Sequence, residues 1–228
     1  MKKIILLRHG QSQWNLENRF TGWTDVPLSP LGREEAVAAG ESMKKADLKP
    51  QFFFTSYLRR AIHTLQIAAE VMELDYIPVI KDWHLNERHY GALQGLNKAE
   101  TAKKYGEEQV HMWRRSFDVL PPLLTPSDPR YPGNDPKYAA LTADELPLSE
   151  SLQDTIARVR CCWQEMIVPQ LEHYDTILIV AHGNSLRGLA MMLLHKTAQE
   201  VVSLEIPTGK PWVFEVDDRI NVLNQYYL

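Results

Sequence analysis

Two histidines, each directly before a glycine and directly after a short apolar run, are the residues of this chain best placed for chemistry. His9-Gly10 follows Ile4 to Leu7 and Arg8, and His182-Gly183 follows Thr176 to Ala181. Runs of this length, rich in β-branched residues or leucine, read as buried parallel strands. In an open α/β sheet ligands collect at the carboxyl ends of strands, so two strand-end histidines can face each other across one crevice. A neutral imidazole is a competent nucleophile near pH 7, because its unperturbed pKa is about 6.5. The glycine turn Gly10-Gln11-Ser12 offers backbone N–H groups to a phosphate, with Arg8 alongside. A strand-end histidine taken alone is more often a hydrogen-bonded structural residue, so the case rests on what accompanies it.

Four further groups accompany it. Phe54 to Arg60 reads as a strand entering a helix with arginine in its first turn, where the macrodipole disfavours cations unless an anion offsets them. Arg60 is therefore a phosphate ligand, and Arg59 a surface arginine. In Leu85 to Gly95, a carboxylate among turn residues, Glu87 is the general acid and base: with its pKa raised toward neutrality it would take and give the proton that transfer between hydroxyls requires. Lys98 and the pair Arg114-Arg115 suit either a solvated charged face or a substrate bearing carboxylate and phosphate together. In His182-Gly183-Asn184-Ser185 an imidazole, backbone N–H groups and an amide stand at a helix start, where His182 could stabilise a phosphoryl group in transit. No Cys/His cluster or H-E-x-x-H spacing occurs, so no metal is expected.

These residues need a scaffold. Pro30 to Ala46 reads as a helix with Ser29 as N-cap and Ala36, Gly40 and Met43 on one face; Tyr57 to Met72 and Glu150 to Leu171 read as two more. Further strands are expected at Phe52 to Phe54, Ile77 to Ile80 and Trp212 to Val216. The alternation predicts an α/β fold: a doubly wound, mostly parallel sheet flanked by helices, in a single domain over residues 1–228. Residues 119–148 form a long irregular excursion, since Pro121 to Pro147 holds seven of the fourteen prolines.

The formal charge of −4 gives no global attraction for polyanions, and no basic patch suggests a nucleic acid or membrane partner. Met1-Lys2-Lys3 and the apolar run after it begin like a secretory signal, but Arg8 cuts the run to four residues, so a cytoplasmic protein is expected. Cys161 and Cys162 are adjacent in a helical pattern and read as reduced thiols.

Arg8-His9-Gly10 with His182-Gly183 resembles the histidine phosphatase superfamily. The blocks Leu7 to Asn15, Phe20 to Trp23, Thr55-Ser56 with Arg60-Ala61, Glu87 to Gly91, Trp113 to Asp118 and Ala181 to Ser185 resemble its 2,3-bisphosphoglycerate-dependent phosphoglycerate mutases over nearly the whole chain. The resemblance implies a phosphoglycerate mutase-like fold in which His9 is the phosphorylated nucleophile, Glu87 the proton carrier and His182 the transition-state stabiliser, while Arg8 and Arg60 hold the transferring group. It further implies substrate contacts at Asn15, Thr21, Gly22, Tyr90, Lys98, Arg114, Arg115, Gly183 and Asn184. The implied activity is metal-independent interconversion of 3- and 2-phosphoglycerate in glycolysis and gluconeogenesis, primed by 2,3-bisphosphoglycerate, in a homodimer or homotetramer. Members of that family continue past the equivalent of Tyr226-Tyr227-Leu228 with a flexible tail that closes over the site, so a chain ending there would be expected to admit more water. Two alternatives stand: a phosphatase on the same fold, with water as acceptor, and a non-catalytic anion-binding protein.

Overall fold

The central strands of this chain are apolar through their middles because both faces of the sheet are covered there. In the computed structural model, which describes residues 1–228, β1 (Lys2–Arg8), β2 (Phe52–Thr55), β3 (Val79–Lys81), β4 (Thr176–Ala181), β5 (Pro211–Val216) and β6 (Val222–Tyr227) form one sheet in the order β3-β2-β4-β1-β5-β6. The first four in that order are parallel; β5 and β6 extend the sheet antiparallel. Alternate residues separate onto two cores: Ile4, Leu6, Phe54, Ile177 and Ile179 on one face, Ile5, Leu7, Phe53, Leu178 and Val180 on the other. Each such side chain taken from water contributes about 1.5–3 kcal/mol, which ties the strand register to the burial of both faces.

Helices α2 (Pro30–Lys45) and α3 (Arg59–Met72) cover the second face, with Ala39, Met43, Leu65, Ala68 and Met72 in its core. Ahead of them α1 (Gln13–Leu16) is a single turn. Ser29 caps α2 by accepting the Gly32 N–H at 3.1 Å, and Pro30 takes the first turn, as the sequence implies. The first face is covered by α6 (Leu152–Cys162), α7 (Val168–His173) and α8 (Gly183–Leu193). Helices α4 (Lys98–Tyr105), α5 (Glu107–Arg115) and α9 (Ala198–Ser203) complete the set.

The expected helix from Glu150 to Leu171 is interrupted. A π-helical stretch, Trp163–Ile167, separates α6 from α7. Pro169 explains it: lacking an N–H and crowding the carbonyl four residues back, it cannot continue an undisturbed α-helix. The strand expected over Ile77 to Ile80 starts only at Val79, after Pro78. The run Pro121 to Pro147 contains three short 3-10 turns, and its ends are drawn together where the Leu124 N–H donates to Leu148 O at 3.0 Å. Tyr138, buried within it, stands 4.9 Å from the Trp23 ring. Cys161 and Cys162 are free thiols. No helix is long and apolar enough to cross a membrane.

Candidate active site

The pairing of β1 with β4 sets Arg8 opposite Ala181, so the next residue of each strand leaves the sheet at the same edge. His9 and His182 thus emerge side by side, their ring centroids 4.9 Å apart. Gly10 is required just beyond, because a Cβ there would overlap the backbone of Gly32 in α2. Both imidazoles are buried, and the tautomer of His9 follows from its partner. The Gly10 carbonyl, 2.6 Å from His9 Nδ1, can only accept, so Nδ1 carries the proton and Nε2 keeps its lone pair. Arg60 Nε donates to that Nε2 at 3.3 Å. Ser56 Oγ accepts the Leu58 N–H at 3.1 Å and lies 2.7 Å from His182 Nε2, to which its hydroxyl can donate or from which its second lone pair can accept. With the Ser56 hydroxyl donating, the His182 proton sits on Nδ1, a buried atom without a partner.

Burial first, and then the Arg60 guanidinium, hold both imidazoles well below the ordinary histidine range, so both are neutral at pH 7. Arg60, 1% exposed at the start of α3, is aimed by two carbonyls: it donates to Gly22 O at 2.7 Å and Thr24 O at 3.0 Å. Gly22 adopts φ +55°, where a side chain would be strained. Burial lowers Arg60 to about 10, which leaves it charged. Opposite, Glu87 Oε1 accepts the backbone N–H of Asn184 at 3.1 Å and of Arg88 at 2.8 Å. A Cβ at Gly183 would lie 3.6 Å from Arg8 and 3.8 Å from Glu87 Oε2, ordinary contact distances, so both side chains stand against the N-terminus of α8.

The cavity in front of His9 is lined by seven cations, Arg8, Arg19, Arg60, Lys98, Arg114, Arg115 and Arg187, against two carboxylates, Glu87 and Glu205. Like charges held this close favour a polyanionic ligand strongly. Two nitrogens make the same point: Arg8 Nε and His182 Nδ1 are buried without hydrogen-bond partners. An unsatisfied buried donor costs about 1–3 kcal/mol, a cost that a phosphate oxygen removes. No group of three or more His, Cys, Asp or Glu side chains is arranged to hold a metal ion.

Of the residues expected from the sequence, Arg8, His9, Asn15, Thr21, Gly22, Arg60, Glu87, Tyr90, Lys98, Arg114, Arg115, Gly183 and Asn184 line this cavity, and His182 stands against His9. Gln11 and Ser12 do not line it. The Gln11 N–H donates to Glu35 at 2.6 Å and its side chain accepts from Ser29 at 2.9 Å, while Ser12 and Asn15 cap α1 reciprocally. Sequence reasoning passed over Arg19, Phe20, Arg187, Glu205 and Ile206, which also line the cavity. Arg187 had a signal: three residues after Asn184 it shares a helix face with it, and it donates to Asn184 Oδ1 at 2.9 Å. Glu205, paired with Arg115 at 2.8 Å, had none, since only the fold brings it there.

Burial, reinforced by Arg114 and Arg8, lowers the Lys98 ammonium to about 8. The sign is direct: Lys98 is charged below that pH and neutral above it, so its attraction for an anion is present below pH 8 and lost as pH rises through it. kcat/KM for an anionic substrate should therefore fall on the alkaline side of about pH 8. Lys98→Arg should move that limb to higher pH; an unmoved limb would assign it to another group.

The model of the histidine phosphatase superfamily (branch 1) matches residues 4–227. Proteins of two strains of Porphyromonas gingivalis, curated as 2,3-bisphosphoglycerate-dependent phosphoglycerate mutase, are 53% identical over 228 residues, covering 100% of this chain and 92% of theirs. Among solved structures, a mycobacterial glucosyl-3-phosphoglycerate phosphatase bound to VO3 aligns with a TM-score of 0.74 at 24% identity, over 100% of this chain and 97% of that one. The α-ribazole phosphatase of Shigella flexneri aligns with a TM-score of 0.71 at 21% identity, over 97% and 94%. At those identities the two structures speak for the fold alone.

Proposed function

Since this chain belongs to the histidine phosphatase superfamily, we propose that it interconverts 3-phosphoglycerate and 2-phosphoglycerate through a phosphohistidine at His9. The observation that carries the reading is the strand register that sets His9 and His182 side by side under a cavity of seven cations, with Glu87 opposite. The full-length relatives named as mutases support the choice of substrate.

The primer, 2,3-bisphosphoglycerate, supplies the phosphoryl group that first charges His9. Arg8 Nε and, with its proton there, His182 Nδ1, both without partners, fit its phosphate oxygens. His9 Nε2 attacks phosphorus; the N–P bond forms as the P–O bond to the leaving oxygen breaks, and Glu87 gives that oxygen a proton. Glu87, now a carboxylate, next takes the proton from the 2-hydroxyl of 3-phosphoglycerate as that oxygen attacks the phosphohistidine. His9 then removes the phosphoryl group from the 3-oxygen, Glu87 returns the proton, and 2-phosphoglycerate leaves. Arg60 and the His182 N–H offset charge on the group in transit. Lys98, Arg114 and Arg115 hold the second anionic group, which keeps either hydroxyl in line with His9. On this reading the chain serves glycolysis and gluconeogenesis and works in the cytoplasm.

A phosphatase on this scaffold would differ only in its acceptor, water in place of a hydroxyl. Incubation of 3-phosphoglycerate with and without catalytic 2,3-bisphosphoglycerate in EDTA, followed by quenching and by reading 2-phosphoglycerate with enolase in excess Mg²⁺ beside a count of free phosphate, separates the two. Stimulated formation of 2-phosphoglycerate with little free phosphate is the expected result. Free phosphate without isomerisation would overturn the proposal.

A further inference from the structure

The segment carrying Glu87 has no regular structure of its own: it links a 3-10 turn at Trp83–Leu85 to another at Gly91–Leu93. Its backbone groups must find partners elsewhere. One side chain meets three carbonyls at and beside it. Arg158 of α6 donates through Nη1 to His84 O at 2.5 Å and Asn86 O at 2.9 Å, and through Nη2 to Glu87 O at 2.9 Å. Its remaining donors meet Glu150, Nε to Oε1 at 2.6 Å and Nη2 to Oε2 at 2.9 Å. All five N–H groups of the guanidinium are used. Glu150 completes the clamp, since its Oε2 accepts the His89 N–H at 2.8 Å and its own N–H donates to His89 O at 2.8 Å.

Arg158 and Glu150 are 8% and 5% exposed, and neither lines the cavity. A buried ion pair adds little net stability over an apolar packing of equal volume, because desolvation offsets the attraction. Its effect here is geometric: it fixes the backbone on both sides of the Glu87 side chain. We propose that Arg158, held by Glu150, is a positioning residue that sets where the Glu87 carboxyl meets the oxygen gaining or losing a proton. The inference rests on Glu87 being the proton carrier. Lysine has one nitrogen and three donors, so it cannot span three carbonyls and two carboxylate oxygens. Glutamine at 150 would turn an amide N–H toward either Arg158 or the His89 N–H, whichever way it faced.

The test is a double-mutant cycle on the full chain, reading kcat and KM for 3-phosphoglycerate in the primed reaction. Arg158→Lys should lower kcat about 10- to 100-fold, the scale of a displacement of about 1 Å in a catalytic group, with KM within about threefold of the parent. In the Glu87→Gln background the same change should cost less than about threefold, since the group it positions is gone. Losses that multiply in the double variant would mean that Arg158 supports the structure and not Glu87. A parent rate for Arg158→Lys beside an impaired Glu87→Gln would also overturn the inference, whereas a parent rate for Glu87→Gln would remove the reading beneath it. Should Arg158→Lys fail to fold, Glu150→Gln enters the same cycle with the same expectations.

Discussion

His9→Gln should leave no acid-labile phosphoryl label on the chain after exposure to labelled 2,3-bisphosphoglycerate, and should lower kcat about 10⁴-fold or more, the scale of losing a nucleophile. Three features make the loss this large. The Gly10 carbonyl fixes the His9 proton on Nδ1, so Nε2 alone presents a lone pair, toward Arg60. Burial holds the ring neutral, so the lone pair is free throughout the neutral range. No substitute stands in reach: the neighbouring imidazole of His182 has its Nε2 occupied by Ser56. Arg8 and Arg60 remain in the variant, so phosphate should still bind. Retained label at another residue would show that the strand-end pair is used differently.

Glu87→Gln should lower kcat about 10²- to 10⁴-fold, the usual contribution of a positioned general acid and base. The side-chain oxygen of glutamine can still accept from the Asn184 and Arg88 N–H groups, so the local fold is kept while the proton carrier is lost. KM should stay level or fall, because removing one of two carboxylates from a cavity with seven cations strengthens its hold on an anion. A fall in kcat with KM level or lower separates a proton carrier from a binding residue. Steady-state kinetics on 3-phosphoglycerate with saturating primer read both constants, and a parent kcat would assign the proton to another group.

How much of this was visible in the sequence depended on how local the cause was. β1 and β4 were legible because burial on both faces makes them continuous apolar runs, and the histidines after them because a strand end in such a sheet is an address for ligands. Ser29 and Pro30 announced α2 within four residues. The register that brings His9 and His182 together was not legible, because Arg8 opposite Ala181 is a relation across more than 170 residues of chain. β6 escaped notice because it is a half-exposed edge strand without alternation, recognisable only through its pairing with β5. Arg158 and Glu150 read as ordinary charged residues of an amphipathic segment. Only the fold shows that they are buried and that three carbonyls of a distant loop converge on one guanidinium.

The central claim is that a phosphoryl group held by His9 passes to a glycerate hydroxyl. The most direct measurement charges the chain with labelled 2,3-bisphosphoglycerate, removes the excess, and chases the labelled protein with unlabelled 3-phosphoglycerate in a rapid-quench instrument. The account predicts acid-labile label that leaves the protein on the timescale of turnover and appears in bisphosphoglycerate and 2-phosphoglycerate. Label released as free phosphate at the same rate with or without 3-phosphoglycerate would contradict it.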